Sequence, residues 1–292
     1  IVNFPVVNLP VIHATYKQLA NIAINPHEIT LFSEKQYKNR DLINNEKASL
    51  IQKIPFRFNL EIEEEWTPVI NLQDPNKSKL IPISLVAFNY PKVKQKETNY
   101  PCSNGLSSGN SVTESLIQGI YELIERDSCA IWWYNKLILN TIKIPDNILT
   151  YVQSIRQDLI KLDRSLELLE LPTDFNVCVS AAISFNSNGE NICIGLGCHQ
   201  DNSIAISRAI TEMNQMLVFE TDCHKPTFST KGNDGIARQV QNWILNEGIK
   251  DHPYLIGTKI DITKKYNRIE FNYIEEELQW LINECTRLNL NI

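Results

Sequence analysis

A serine- and glycine-rich loop runs directly into a helix start at residues 103–127, SNGLSSGNSVTESLIQGIYELIERD. Its glycines, Gly105 and Gly109, leave the backbone free to adopt positive φ angles, and its small side chains permit a close approach to a phosphate. Ser111 and Glu114 form the S-x-x-E pattern of a capping box, which predicts a helix whose positive dipole end lies beside the loop. Together they predict an anion-binding site.

The predicted helix has one acidic face. At about 100° per residue, Glu114, Gln118, Glu122 and Glu125 fall within roughly 80° of one another, whereas the opposite face is apolar. Carboxylates stacked one turn apart repel each other unless a cation neutralises them, as Mg²⁺ held by carboxylates and substrate phosphates would do. The alternative is a solvated face in which Glu122 and Arg126 form an ordinary i,i+4 ion pair. The helix alone leaves both interpretations open.

A second strand–loop–helix segment begins at GLGCHQDN, residues 195–202. On the helix that follows, Arg208, Glu212 and Gln215 share one face within about 60°, and apolar residues fill the other. From the residues alone, we expect Arg208 and Glu212 to form an ion pair with each other.

Composition limits the classes of function. A chain of 292 residues with 43% hydrophobic residues can bury a sizeable core, and its net charge of −6 argues against nucleic acid as a partner. No apolar run reaches the roughly 18 residues of a membrane span, and the N-terminus lacks the basic region of a signal peptide. Seven cysteines without a C-x-x-C pair are typical of reduced thiols, so we expect a cytoplasmic protein. A zinc site assembled from Cys193, Cys198, His199, Cys223 and His224 would have none of the usual spacings.

Periodicity predicts an α/β (α+β) fold, a mixed β-sheet with helices packed on it. Short helices are expected over residues 15–40, one of them capped by Ser33, and an antiparallel strand pair at 66–72 and 80–89. The central helix continues to about residue 137, with Trp132 and Trp133 expected in a core or interface. A helix at 148–162, strands at 166–171, 177–185 and 191–197, a mobile loop at 221–240 and a helix at 274–288 follow.

Four segments give the chain a resemblance to a known family. Residues 103–128, with the pattern E-x7-E-x2-E-R, resemble the nucleotide-binding motif of YcaO-domain proteins. The segments INPHEITLFSEKQY, CAIWWYNKL and GLGCHQDNSIAISRAITEMNQML are similar to the branch that forms azolines in ribosomally made peptides, including the cyanobactin heterocyclases. The resemblance covers most of residues 14–292.

The resemblance implies a role for each candidate residue. Glu122 and Glu125 would ligate Mg²⁺, with Glu114 close to the metal or nucleotide. Arg126 and Arg208 would act on phosphate or substrate as the catalytic residues. The nucleotide would be bound by Arg126 together with Ser107, Asn110, Glu114, Glu212 and Gln215.

The implied reaction is ATP-dependent cyclodehydration of Cys, Ser or Thr in a precursor peptide to thiazoline or oxazoline. A leader-peptide-binding protein and a second copy of the chain are possible partners, whereas nucleic acid and membrane are not expected. Two alternatives stay open: a thioamide-forming or accessory YcaO protein, and a catalytically incomplete scaffold that binds a partner or leader peptide.

We expect residues 1–292 to form a partial YcaO domain that is incomplete at both ends, because the family's earlier acidic motif and its C-terminal region are not recognisable. Within it we expect an N-terminal helical or irregular segment at 1–60, a nucleotide-site core at 61–220, the loop at 221–240 and a C-terminal helical segment at 241–292.

Overall fold

The structure is a computed structural model that describes residues 10–46, 53–87, 90, 95, 98, 103–223, 235–258 and 269–292. The chain divides into two compact units, Ile1–Ser103 with Leu290–Ile292, and Asn104–Asn289. None of the helices in these ranges is both long and apolar enough to cross a membrane.

The first unit contains an antiparallel sheet with strand order β1-β2-β3 and several short helices. Trp66 of the central strand is fully buried, and its Nε1 donates a hydrogen bond to the carbonyl oxygen of Ala14 (2.9 Å), so it fastens the edge strand to the core. The elements in chain order are β1 (Ile12–Ala14), α1 (Tyr16–Leu19), α2 (Pro26–Ile29), α3 (Glu34–Lys38), α4 (Arg40–Glu46), β2 (Glu64–Ile70), β3 (Ser78–Pro82) and α5 (Ile83–Val86).

The predicted antiparallel pair is confirmed, with Trp66 opposite Pro82, and Ser33 caps α3 as expected. The second strand is shorter than the expected 80–89, because residues 83–86 form α5 and the Ala87 N–H donates to the carbonyl oxygen of Ile83 (2.9 Å). A short buried apolar run does not distinguish strand from helix by its periodicity. Residues 88–89 lie outside the described residues.

The second unit contains a three-stranded antiparallel sheet of order β4-β5-β6, with long helices packed on it. Helix α8 packs on β6 and β5, α7 packs on β4, and α6 packs on β6 and α10. The elements are α6 (Val112–Asn135), α7 (Asp146–Lys161), β4 (Arg164–Glu170), β5 (Cys178–Asn186), β6 (Cys193–His199), α8 (Asn202–Cys223), α9 (Gly235–Asn246), a 3-10 helix (Pro253–Leu255) and α10 (Ile274–Arg287).

Close contact between β6 and α8 depends on the glycines of β6. A Cβ atom added at Gly197 would lie 2.1 Å from the carbonyl oxygen of Ala205, and one added at Gly195 would lie 2.1 Å from the Met213 amide nitrogen. The backbones therefore approach closely enough to bury Ile206, Ile210 and Met213 of α8 completely. This packing fixes the polar face of α8 relative to the end of β6.

The predicted fold class is confirmed as α+β, with both sheets antiparallel. The long helices and the three strands of the second unit lie where the sequence predicts them, with boundaries shifted by a few residues. Part of the predicted mobile loop at 221–240 is helical, because α8 extends to Cys223 and α9 begins at Gly235. Residues 224–234 lie outside the described residues.

Candidate active site

A cleft of about 920 Å³ opens in the second unit beside the serine- and glycine-rich loop. It is bounded by that loop, by α6, by the first turn of α7 and by α8 together with the end of β6. The lining side chains are largely polar or charged, and they belong to Leu106, Ser107, Ser108, Gln118, Tyr121, Glu122, Glu125, Asn147, Ile148, Leu196, Cys198, Asp201, Ser203, Ile204, Ser207, Arg208, Thr211, Glu212 and Gln215.

The loop lies directly on α6, and Gly119 makes this possible. A Cβ atom at Gly119 would lie 2.9 Å from the carbonyl oxygen of Gly105 and 3.0 Å from Ser107 Oγ. Ser107 Oγ donates to the carbonyl oxygen of Ser115 (2.5 Å), while Ser115 Oγ donates back to that of Ser107 (2.9 Å). The Gly105 amide donates to Glu122 Oε2 (3.1 Å), so the loop also orients this carboxylate.

The predicted capping box is only half formed. Ser111 Oγ accepts from the Glu114 amide (3.1 Å), as expected for the N-cap of α6. The Glu114 carboxylate does not return to Ser111. It accepts instead from the amide N–H and the Nδ2 of Asn110, at 2.7 and 3.1 Å. Neither Glu114 nor Asn110 is among the residues that line the cleft, whereas the candidates Ser107, Glu122, Glu125, Arg208, Glu212 and Gln215 do line it.

Three carboxylates that line the cleft, those of Glu122, Glu125 and Glu212, share the guanidinium of Arg126, which is not itself among the lining residues. Arg126 Nη2 lies 3.4 Å from Glu125 Oε1 and 3.7 Å from Glu212 Oε1, and Arg126 Nε lies 3.8 Å from Glu122 Oε1. These distances exceed the roughly 2.7–2.9 Å of a charge-assisted hydrogen bond. The guanidinium is therefore shared among three acids and bound tightly by none. The ordinary Glu122–Arg126 ion pair is one part of this larger cluster.

Glu125 is the most buried of the three acids, at 8% exposure. Burial, with the neighbouring Glu212 and Glu122 carboxylates, raises the pKa of Glu125 to about 7 against the opposing charges of Arg126 and Arg208. Such an excess of negative charge favours a cation in the cleft.

The polar face of α8 completes the site, but the Arg208–Glu212 ion pair favoured by the residues alone is not formed. Glu212 accepts from the Leu196 amide (2.9 Å) and pairs with Arg126 on α6. Arg208 Nη1 donates to the carbonyl oxygen of Cys198 (3.0 Å), and no carboxylate among the described residues lies within ion-pair distance of it. Arg208 is thus a cation without an acidic partner in this part of the chain. Gln215 lines the same cleft.

The donor set fits a hard divalent cation that shares its coordination with a second ligand. Within the described residues, no three Asp, Glu, His or Cys side chains are placed to hold a metal ion by themselves. Mg²⁺ is ordinarily bound by one or two carboxylates, with water and substrate phosphates as its other ligands. Glu122 and Glu125 could provide these carboxylates, and Arg208 could contact a phosphate.

Sequence reasoning missed a buried group behind the cleft, formed by Tyr121, His199 and Glu277. Tyr121 Oη donates to Glu277 Oε1 (2.7 Å), and His199 Nε2 lies 3.4 Å from the same oxygen. Nδ1 of His199 accepts from the Asp201 amide (2.9 Å), which fixes a neutral tautomer. Burial and the charge of Arg208 lower the pKa of His199 to about 4. The sequence signal was weak, because Glu277 lies in an ordinary acidic helix start.

The doubtful zinc grouping is not formed by the described residues. Cys193 and Cys198 are buried and form no disulfide with described residues, and burial raises the pKa of the Cys198 thiol. The Cys223 side chain and His224 lie outside the described residues. Trp132 is fully buried and packs edge-on against Trp133 and Tyr254, so it has the expected core role.

The sequence matches the profile of the family described as YcaO cyclodehydratase, ATP- and Mg²⁺-binding, over residues 3–292. The chain belongs to the YcaO family. This confirms the family predicted from the four sequence segments, a family described as binding ATP and Mg²⁺.

Two solved heterocyclase structures are similar along nearly the whole chain. One is a heterocyclase in complex with substrate and cofactor, which is 30% identical to this chain with a TM-score of 0.84. The match covers 97% of this chain and 37% of the heterocyclase chain. The other is the heterocyclase TruD, which is 28% identical with a TM-score of 0.78. That match covers 97% of this chain and 39% of the TruD chain. YcaO from Methanopyrus kandleri, bound with AMPPCP and Mg²⁺, is 22% identical with a TM-score of 0.55. The match covers 76% of this chain and 56% of the Methanopyrus chain, and it supports the fold alone.

The chain spans well under half the length of both heterocyclases. It also matches an uncharacterized protein encoded in the tfuA 3′ region of Rhizobium leguminosarum bv. trifolii. That protein is 28% identical over 132 residues, which is 39% of this chain and 30% of the relative.

Proposed function

We propose that the protein catalyses ATP-dependent cyclodehydration of Cys, Ser or Thr in a ribosomal precursor peptide, giving thiazoline or oxazoline. One observation carries the proposal: a single cleft is lined by the carboxylates of Glu122, Glu125 and Glu212 and by Arg208, which has no acidic partner among the described residues. This arrangement suits a metal ion and a polyphosphate bound together. The similarity to heterocyclases along the chain supports the azoline branch.

Each charged side chain has a separate role in the proposal. Glu122 and Glu125 would hold Mg²⁺. The ion would neutralise negative charge on the phosphoryl group as it is transferred. Arg126 and Arg208 would contact phosphate oxygens, with Glu212 and Gln215 lining the nucleotide site. Ser107 would hold the loop against α6. Glu114 and Asn110, which bind each other, would shape the loop that approaches the nucleotide.

The chemistry requires no nucleophile from the enzyme. A thiol or hydroxyl of the peptide attacks the preceding backbone carbonyl, and the resulting oxyanion takes the γ-phosphoryl group of ATP. Phosphate then leaves with the former amide oxygen, the nitrogen loses its proton, and the ring C=N bond forms. An amide oxygen is a poor leaving group until it is phosphorylated, so positioning and charge neutralisation are the main contributions of the cleft.

The precursor peptide is the proposed substrate, and a leader-binding protein and a second copy of the chain are proposed partners. The solved YcaO protein bound with AMPPCP and Mg²⁺, and the microcin synthetase complex with its bound pro-peptide, share only the fold with this chain. Their similarity supports the fold of this chain alone.

Calorimetric titration of the full chain with ATP, with and without Mg²⁺, tests the site. We expect metal-dependent binding that is lost in the variant Glu122→Gln/Glu125→Gln and retained in Asp127→Asn, an exposed acid on the same helix. Unchanged nucleotide affinity in the double variant would defeat the assignment.

Mass spectrometry of Cys- and Ser-containing peptides incubated with the full chain and MgATP tests the reaction. Loss of one water per ring with equimolar phosphate release supports azoline formation. Phosphate release with sulfur incorporation would instead indicate thioamide formation. A folded chain that binds peptide or partner without ATP turnover would indicate a scaffold.

A further inference from the structure

Two contacts with described residues hold Arg208 in the cleft, and neither partner is an acid. Its Nη1 donates to the carbonyl oxygen of Cys198 (3.0 Å), and its guanidinium carbon lies 5.9 Å from the centre of the Tyr121 ring. The first contact uses one of five N–H donors, and a guanidinium over an aromatic face is attracted by the ring. The direction of the remaining donors therefore depends on the position of that ring.

The Tyr121 ring is itself fixed from behind. Only 1% of the residue is exposed, and its hydroxyl donates to Glu277 Oε1 of α10 (2.7 Å). Burial and the nearby Glu277 charge raise the pKa of Tyr121, so the hydroxyl stays protonated and remains a donor. The His199 ring packs 4.9 Å from the Tyr121 ring, centre to centre. The tyrosine thus contacts the cleft on one side and an α10 carboxylate on the other.

The His199 ring lies close to the same carboxylate. Because Nδ1 accepts from the Asp201 amide (2.9 Å), the proton of the neutral ring is on Nε2, which lies 3.4 Å from Glu277 Oε1. Asp201 immediately precedes α8, the helix that carries Arg208. Glu277 therefore contacts side chains from α6 and from the end of β6, while it lies near the positive end of α10 itself.

We propose that Glu277 is a positioning residue for Arg208 and acts through the Tyr121 side chain. The carboxylate fixes the hydroxyl, the hydroxyl fixes the ring, and the ring directs the guanidinium into the cleft. Helix α10 thereby becomes part of the machinery that aligns the phosphate-binding arginine. This inference rests on the proposed function in one respect, which is that the ligand of Arg208 is a phosphate group.

A double-mutant cycle on the full chain tests this coupling. Tyr121→Phe keeps the ring and removes the hydroxyl, and Glu277→Gln removes the charge at nearly constant volume. We expect each substitution to weaken MgATP binding about tenfold, the order for loss of a charge-assisted hydrogen bond, and the double variant to be about as weak as the weaker single variant. Glu275→Gln, an exposed acid in the same helix, is the matched control.

A second measurement does not require ATP. The Nε–H correlation of Arg208 in arginine-labelled protein, assigned with Arg208→Lys, should shift and exchange faster with solvent in Glu277→Gln and Tyr121→Phe but not in Glu275→Gln. Additive losses of ATP affinity, or an unchanged Arg208 signal, would overturn the inference. If the unaltered chain binds no MgATP, the proposed function fails, and the Arg208 signal still decides whether Glu277 positions the arginine.

Discussion

Replacing Glu125 with Gln should stabilise the metal-free protein at alkaline pH while it removes a proposed Mg²⁺ ligand. The Glu125 carboxyl is buried beside Glu122 and Glu212, and these surroundings raise its pKa from 4.5 to about 7 despite Arg126 and Arg208. At about 1.4 kcal/mol per pH unit, this difference corresponds to about 3 kcal/mol of unfolding free energy lost when the carboxyl is ionised. Gln is neutral, so it avoids most of that cost.

The sign of the pH dependence follows from proton binding. Between pH 4.5 and about 7 the folded state holds a proton on Glu125 that the unfolded state has released, so stability falls as pH rises through this interval and the cost is complete above it. Glu125→Gln should therefore gain about 1–3 kcal/mol over the unaltered chain at pH 8, and much less at pH 5.

Urea unfolding in the presence of a chelator, at several pH values, measures this difference. Asp127→Asn on the same helix is exposed and should show no such pH-dependent gain. Saturating Mg²⁺ should raise the stability of the unaltered chain and not that of Glu125→Gln. A Glu125→Gln variant that is as destabilised at pH 8 as at pH 5 would refute the reasoning, because the buried charge would then carry no measurable cost.

Three further substitutions test other parts of the site. Arg126→Gln removes the cation shared by three carboxylates and should lower the metal-free unfolding free energy by about 1–3 kcal/mol, measured with urea at pH 8. Gly197→Ala would place a Cβ atom 2.1 Å from the carbonyl oxygen of Ala205, and should lower thermal stability by about 3 kcal/mol or more by forcing α8 away from β6. His199, whose folded pKa of about 4 is below its usual 6.5, contributes stability that is present above pH 6.5 and lost as pH falls towards 4. In His199→Gln the difference in unfolding free energy between pH 7.5 and 4.5 should shrink by up to about 3 kcal/mol.

Each of these variants has a matched control in the chain. Arg156 is exposed, so Arg156→Gln should leave stability at pH 8 unchanged. The nearest atom to a Cβ at Gly248 is 3.3 Å away, so Gly248→Ala should be far milder than Gly197→Ala. Equal effects of Arg126→Gln and Arg156→Gln, or of the two glycine substitutions, would contradict the packing and charge assignments. An unchanged pH slope in His199→Gln would contradict the neutral histidine.

The local elements of the second unit were predictable because their periodicity is long and regular. The central helix and the strand–turn–strand pattern around residues 177–197 follow from spacing alone, and the structure confirms them. The short run at Ile83 was not predictable, because a mostly apolar segment of four residues suits a strand and a helix turn equally well. Only the tertiary surroundings of such a segment decide between them.

The acidic face of α6 was predicted, but the unequal burial of its members was not. At about 100° per residue, Glu125 lies only about 40° around the helix from Tyr121, whereas Glu122 lies about 100° from it. Tyr121 is almost completely buried, so Glu125 occupies the edge of the packed face and becomes the acid with the raised pKa. A helical projection of the sequence shows these angles. Which edge of the helix packs against β6 depends on the tertiary structure.

The pairing of charges across helices lay beyond sequence reasoning, and it has a consequence for binding. Spacing favoured Arg208 with Glu212, yet Glu212 pairs with Arg126 of α6 and leaves Arg208 for another anion. Free ATP entering the cleft would meet four acidic side chains, those of Glu122, Glu125, Asp201 and Glu212, and one arginine, Arg208, among the residues that line it, so repulsion should prevent its binding without metal. A divalent cation on Glu122 and Glu125 offsets much of that repulsion. Nucleotide affinity should therefore depend steeply on Mg²⁺, and binding of ATP in the presence of a chelator with equal affinity would show that the carboxylates do not face the nucleotide.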